Sequence, residues 1–372
     1  MEKNNKNNLS NIIKPFFDLS FFFLIVTIIL FGLLILTTSS IELSYKNYDE
    51  PFYYSFQQIG YLIFSVFVCS FFLFLSSENL KKNYKVFLLF FLFLLVLVVI
   101  PDIGKTVNNS TRWLSYGGLN IQPSEFFKLF YVIWLCAYLD YNKKNIHRFE
   151  IFIIPILCFF ISAILLLKQP DFGSTAVIFL MTFVMMFIAR AKIFHLMTLF
   201  FSGAIGASIL IYLSPERLSR FNLIEPCSDY LGDGYHLCWS LMAIGSGGIF
   251  GKGLGASTTK LSYLYGAHTD FIFAILAEEL GIFGVVFTII LFYLFIKKCF
   301  FVGDKALRVG LIFQGYLSYA IGIFITLQAF LSMAVTLGIA PTKGLAMPFF
   351  SYGGSNYLVS ILSITIVLRI YR

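Results

Sequence analysis

The sequence predicts an all-α, polytopic membrane protein of about ten transmembrane helices, with both termini cytoplasmic and one large extracytoplasmic loop. Three observations predict it. Of 372 residues, 59% are hydrophobic and only 12% charged, at a mean hydropathy of +0.85, whereas a soluble domain carries about a quarter charged residues. Apolar runs of roughly 17 to 25 residues recur along the chain, the length a helix needs to cross about 30 Å of hydrocarbon. Basic residues collect in alternate connections between those runs.

Taken in order, the apolar runs place helices at 19–38, 54–75, 86–100, 124–139 and 150–167, then at 173–189, 193–213, 271–296, 309–333 and 345–368. The first follows Lys3, Lys6 and Lys14 and so resembles a signal peptide. It is long for such a segment, however, and Thr37 to Glu42 offers no small-x-small cleavage site, so it reads as a retained helix. With the N-terminus inside, the inner connections hold Lys81, Lys82, Lys85, Lys143, Lys144, Arg148, Arg190, Lys192, Lys297, Lys298, Lys305 and Arg308. With Lys3, Lys6, Lys14, Arg369 and Arg372 of the termini the inside holds 17 basic residues against nine outside, which is the bias that keeps both termini cytoplasmic. Topology thus accounts for the net charge of +8 without nucleic acid as a partner.

Residues 1–372 read as a single integral membrane domain, with 214–269 as the large outer loop within it. Connections this long are functional or disordered. Trp239, several Tyr and the apolar run 237–244 argue against disorder, and for packing on the membrane surface, partly as an amphipathic helix. Cys69, Cys136, Cys158 and Cys299 fall in or at the ends of spans as small apolar residues. Cys227 and Cys238 share the outer loop, where an oxidising compartment allows a disulfide.

Ionisable groups in hydrocarbon cost at least a few kcal/mol each, so they are candidates for function. In Gln122-Pro-Ser-Glu-Phe-Phe-Lys128, Glu125 and Lys128 stand three apart on one helix face. They are either a structural ion pair or a charge pair lining a substrate cavity. In Ala267-His-Thr-Asp270, where the outer loop meets a helix, Asp270 beside His268 is either a capping carboxylate or a general base with access to water. Glu278 and Glu279 lie on other faces of that helix and read as packing partners for polar groups on other helices. The segment Ala340 to Ser355 breaks an apolar region with two Pro and several Gly. It is either a kink or a broken helix whose free N–H groups, beside Lys343, hold an anion such as a pyrophosphate. The run Gly245 to Gly255 lacks the nucleotide-loop pattern and reads as a tight surface loop. No His/Cys/Glu cluster has metal-ligand spacing.

Together these motifs resemble the SEDS family (shape, elongation, division and sporulation), which polymerises bacterial peptidoglycan. The resemblance runs over nearly the whole chain as ordered blocks: Thr111-Arg-Trp-Leu114, Gln122-Pro-Ser-Glu125 with Lys128, Gln169-Pro-Asp-Phe-Gly173, Gly234-Tyr-His-Leu237, His268-Thr-Asp-Phe-Ile-Phe273 and Ser351-Tyr-Gly-Gly-Ser355. Pro341-Thr-Lys-Gly344 is more similar to the cell-division branch than to the elongation branch. Two positions depart from the family pattern: Tyr265-Gly266, where Pro-Glu is usual, and Asn356, where Ser is usual.

What the resemblance implies is a glycosyltransferase that joins lipid II into glycan strands at the division septum of the bacterial inner membrane. Asp270 is its essential carboxylate, and undecaprenyl pyrophosphate is the leaving group. Lys343, Arg112, Glu125, Lys128, His268 and Ser351 are the candidate substrate-binding residues. No organic cofactor is implied, and a divalent cation bridging the pyrophosphate stays open. The implied partners are lipid II, the undecaprenyl-linked strand, a class B penicillin-binding transpeptidase (FtsI type) and other division proteins. A lipid II flippase, an elongation-type polymerase and a recruiting scaffold are the competing readings.

Overall fold

The computed structural model describes residues 18–72, 77–107, 110–116, 119–212, 227, 234–261, 264–340 and 344–371. Twelve helices and one small sheet are described. The helices are α1 (Leu19–Tyr48), α2 (Tyr53–Phe72), α3 (Ser77–Lys82), α4 (Tyr84–Val99), α5 (Pro123–Tyr141), α6 (Phe149–Lys168), α7 (Phe172–Ile188), α8 (Ile193–Tyr212), α9 (Tyr235–Gly247), α10 (Ile272–Arg308), α11 (Ile312–Thr336) and α12 (Gly354–Tyr371). Among the described residues α1, α2, α6, α10, α11 and α12 are long and apolar enough to cross a membrane, and α4, α7 and 193–206 of α8 are shorter apolar helices. This is a multi-pass membrane protein.

Helix α5 is the hub. It is buried on every side from Pro123 to Leu139 apart from Phe126, and it packs against α4, α7, α11 and α12. The outer helices show the reverse pattern: Phe22, Phe23, Leu30 and Leu34 of α1, and Ile63, Phe64 and Phe67 of α2, are exposed. Bare apolar belts of that kind suit a lipid solvent, in which only the helical backbone has to be satisfied internally.

Hydropathy located the helices, and local chemistry set their ends. Helix α1 runs ten residues past the expected 38, because Ser39, Ser40 and Ser44 are buried against neighbours and the helix stops only where Asp49 turns left-handed (φ 56°). The helix expected over 345–368 begins at Gly354 instead. Pro348 and a left-handed Phe349 (φ 68°) hold the preceding residues out of the helix. Helix α10 breaks at Gly281 (φ 64°, ψ −158°). A Cβ there would lie 2.4 Å from the Gly251 nitrogen, so only glycine lets the Gly-rich loop close against the break. That loop docks by backbone, with Lys252 N donating to Glu278 O and Gly253 N to Glu279 O, each at 3.0 Å.

Glu278 and Glu279 therefore serve this loop, and not other helices as the sequence suggested. Glu278 accepts from Lys252 Nζ (2.7 Å), Ser257 Oγ (2.5 Å) and Thr258 N (3.1 Å), and Glu279 accepts from Lys260 Nζ (2.7 Å). Cys227 and Cys238 are joined as a disulfide that ties Cys227 to α9. The sequence also concealed an antiparallel sheet of β1 (Gly104–Val107), β2 (Ser110–Tyr116) and β3 (Leu119–Ile121) in order β1-β2-β3, where a plain connection was expected. Strands of three to seven residues are too short to show a period against apolar flanks.

Candidate active site

Asp270 sits in the turn before α10, at the end of the bundle where α5, α7 and α12 begin. It does not cap that helix: the N-cap position is Phe271 and no side-chain capping bond forms. Among the described residues nothing hydrogen-bonds its carboxylate, which is half-buried. Partial removal from water raises its pKa from 3.8 to about 6, Arg112 opposes that shift, and Asp171 adds to it.

Four elements form the cradle. Strand β2 carries Arg112, whose Nε and Nη2 donate to the carbonyls of Gln169 (3.3 Å) and Pro170 (2.5 Å). This fixes the turn before α7. Asp171 then caps α7, accepting from Ser174 N at 3.1 Å and Ser174 Oγ at 2.8 Å. Gly344 faces Asp270 so closely that a Cβ on it would lie 2.4 Å from Asp270 Oδ2. Finally, Ser351 Oγ donates to Thr269 O (2.6 Å) and accepts from Met347 N (2.7 Å), stapling the 347–352 segment to the residue before Asp270.

His268 packs between aromatic rings, stacked on Tyr54 at 5.2 Å with Tyr352 at 5.9 Å. Burial lowers its pKa to about 4. The imidazole is therefore neutral at physiological pH and supplies no cation to an anionic ligand.

Beneath this surface lies the ion pair. Lys128 Nζ donates to Glu125 Oε1 at 2.8 Å and to Gln328 Oε1 at 2.9 Å, and both charged residues are buried. Gln328 Nε2 donates to Ala346 O at 2.9 Å, two residues from Gly344. Through Gln328 and the 344–346 backbone the pair is thus linked to Asp270.

Of the residues singled out from sequence, Arg112 lies near enough to Asp270 to act on it electrostatically and His268 stands two residues before it, while Ser351, Glu125 and Lys128 are buried and bonded to protein partners, with one Glu125 oxygen left without a partner. Lys343 lies outside the described residues. Among the described residues no three His, Cys, Asp or Glu side chains converge as a metal site. Sequence reasoning missed Gln328, although a lone amide in the apolar run Ile325 to Leu331 carries the same signal as an intramembrane charge. It also missed the individual roles of Asp171 and Gly344.

A family model described as cell cycle protein, spanning FtsW, RodA and SpoVE, matches residues 18–372. The probable peptidoglycan glycosyltransferase FtsW of Thioalkalivibrio sulfidiphilus is 37% identical over 357 residues, 95% of this chain and 89% of that protein. The protein of the same name in Haemophilus influenzae is 38% identical over 95% of this chain and 90% of its own length. Among solved structures, a chain of a peptidoglycan synthase complex that coordinates polymerization and crosslinking matches with a TM-score of 0.79 at 25% identity, over 96% of this chain and 98% of that one. The rod shape determining protein RodA of Thermus thermophilus shares the fold, with a TM-score of 0.71 at 24% identity over 96% and 97% of the two chains.

Proposed function

This chain belongs to the FtsW/RodA/SpoVE family of cell cycle proteins, and from that membership we propose that it is the peptidoglycan glycosyltransferase of cell division, polymerising lipid II on the outer face of the bacterial inner membrane at the septum. The observation that carries the proposal is the Asp270 carboxylate, half-buried, unpaired among the described residues and raised to a pKa of about 6. A base with that pKa is ionised at neutral pH yet basic enough to take a proton from a hydroxyl in the transition state.

In the reaction, the 4-hydroxyl oxygen of lipid II attacks the anomeric carbon of the undecaprenyl-linked strand. Its proton passes to Asp270. The bond from the anomeric carbon to the pyrophosphate oxygen breaks, and undecaprenyl pyrophosphate leaves with the electron pair. Arg112 lies near enough to Asp270 to act on it electrostatically and keeps N–H groups beyond the two given to Gln169 and Pro170, so it can meet the departing charge. Lys343, one residue before Gly344, is the second cation of this reading. Residues 1–372 act as one membrane domain, and peptide cross-linking falls to a class B penicillin-binding transpeptidase bound alongside. The deciding assay supplies purified protein and that transpeptidase with lipid II. Glycan strands support the proposal. Transfer of lipid II between leaflets without strands establishes the flippase reading instead.

Three expected outcomes arise from this geometry. Activity should fall as pH drops through about 6, because protonated Asp270 is no base. The stability linkage has the opposite sense. The folded-state pKa lies above 3.8, so the stabilisation from protonated Asp270 is fully present below about 3.8 and is lost as pH rises through about 6. A rate–pH profile with an acid limb well below 5 would contradict the assignment.

Gly344→Val should displace the carboxylate and lower kcat about 100-fold, the usual consequence of moving a catalytic group by an ångström. Gly344→Ala should fall between wild type and Val, and equal activity in all three would remove Gly344 from the site.

Gln328 is the third case. Lysine can only donate and a carbonyl can only accept, so Lys128 and the Ala346 carbonyl dictate the amide orientation, and the amide nitrogen also donates to Asn356 Oδ1 at 3.3 Å. Gln328→Glu keeps an acceptor for Lys128 and loses the donor to Ala346 O and Asn356 Oδ1. Both Gln328→Glu and Gln328→Met should reduce kcat about tenfold or more with KM little changed, as expected when only the placement of the base is lost. Wild-type kcat in Gln328→Glu would show that the bond to Ala346 does not position Asp270.

A further inference from the structure

The end of the bundle opposite Asp270 carries a second feature. There the C-terminal ends of α5, α7 and α10 and the start of α11 leave a groove of about 470 Å³. Lys143, His147 and Arg190 line it together with Tyr316, and no carboxylate does. The nearest acids are already engaged: Asp140 pairs with Lys81 at 2.5 Å, and Asp304 accepts from the Tyr319 hydroxyl. Among the described residues Lys143, His147 and Arg190 make no ion pair and no side-chain hydrogen bond.

Two details separate this groove from the general excess of basic residues at this end. Arg190 holds a left-handed backbone (φ 61°) just past the end of α7, where glycine or asparagine is favoured. The conformation carries its charge to the groove in place of continuing the helix. Close in sequence to the lining residues Arg190 and Leu307, Phe194 is 74% and Val309 71% exposed, and Ile188, Leu307 and Ile312 add apolar side chains to the lining itself. A soluble anion has no use for such apolar surroundings, whereas an acyl chain does.

We propose that this groove binds the anionic headgroup of a phospholipid from the inner leaflet, its phosphate between Lys143 and Arg190 and its acyl chains along Phe194 and Val309. The volume suits a phosphoglycerol head, and basic pockets between helices on the cytoplasmic side are where such headgroups bind. The proposal rests on the inside-positive orientation and stands apart from the chemistry at Asp270. Its physical consequence is a clamp across three inter-helix connections, made only in a membrane that contains anionic lipid.

The test uses the purified full chain in detergent, with phosphatidylglycerol, phosphatidylcholine and inorganic phosphate as probes, read by lipid binding and by thermal unfolding. Phosphatidylglycerol should bind and raise Tm while phosphatidylcholine does neither. Lys143→Gln/Arg190→Asn should weaken phosphatidylglycerol binding about thirtyfold, roughly fivefold per cation. Lys82→Gln/Lys85→Gln, which removes the same charge at the same end outside the groove, should stay within about twofold of wild type. Glycan-strand synthesis in phosphatidylcholine should be unaltered in both variants. Should the double variant fail to fold, Lys143→Gln alone, at an exposed position, should show the fivefold loss. Equal binding of phosphatidylcholine, or equal losses in the groove variant and its charge-matched control, overturns the site. Millimolar inorganic phosphate reproducing the Tm rise overturns the lipid assignment in favour of a free anion.

Discussion

Asp270→Asn is expected to lower kcat for glycan-strand synthesis by about 10²–10⁴, the contribution of a positioned general base, while raising the unfolding temperature at neutral pH, because the neutral amide is spared the desolvation that opposes the carboxylate's charge. Asparagine has nearly the same shape, so Gly344 still packs against it and the Ser351–Thr269 bond persists. What it lacks is a basic oxygen. The loss corresponds to about 3–5 kcal/mol of transition-state stabilisation. Asp270→Glu should retain part of the activity, since it keeps the base and misplaces it against a wall with no room at Gly344. Strand synthesis by Asp270→Asn within a few-fold of wild type would show that another group takes the proton.

Lys128→Met should be the most destabilising single substitution around the site, at about 3–5 kcal/mol, because it strands the Glu125 carboxylate in a fully packed interior. One oxygen of that carboxylate already lacks a hydrogen-bond partner, so there is no spare donor to take over from the ammonium. Glu125→Gln/Lys128→Met removes both charges and should recover most of the loss, as replacement of a buried pair by neutral groups commonly does. Thermal unfolding in detergent reads both. Activity should not recover with stability, since the double variant also lacks the donor that orients Gln328 Oε1. If both quantities recover together, the pair is only a packing device.

Much of this molecule was legible from sequence because membrane solvation leaves a coarse and redundant signal. Each span requires a long apolar run, and the chain has too few charges to hide where the breaks fall. The position of Asp270 at a helix start, the isolated Glu125/Lys128 pair and the Gly/Pro-broken 340–355 segment were visible for the same reason: in apolar surroundings a polar residue stands out. Less visible was which alternative each of them follows. From sequence a carboxylate beside a helix start is most often a cap, and here Phe271 occupies the cap position.

By itself, then, the amino-acid order determined a multi-pass membrane protein, the places where polarity interrupts it and, through its ordered motifs, a family. Only the tertiary structure decided what those polar residues do. It buried Glu125, Lys128 and Ser351 beneath the site, gave Glu278 and Glu279 to a Gly-rich loop, and brought Arg112, Asp171 and Gly344 around Asp270 from three distant segments. Hydropathy acts locally along the chain, whereas a pKa, an ion pair or a steric wall depends on what stands within a few ångströms in space. Residues more than fifty positions apart acquire those properties only when the helices pack.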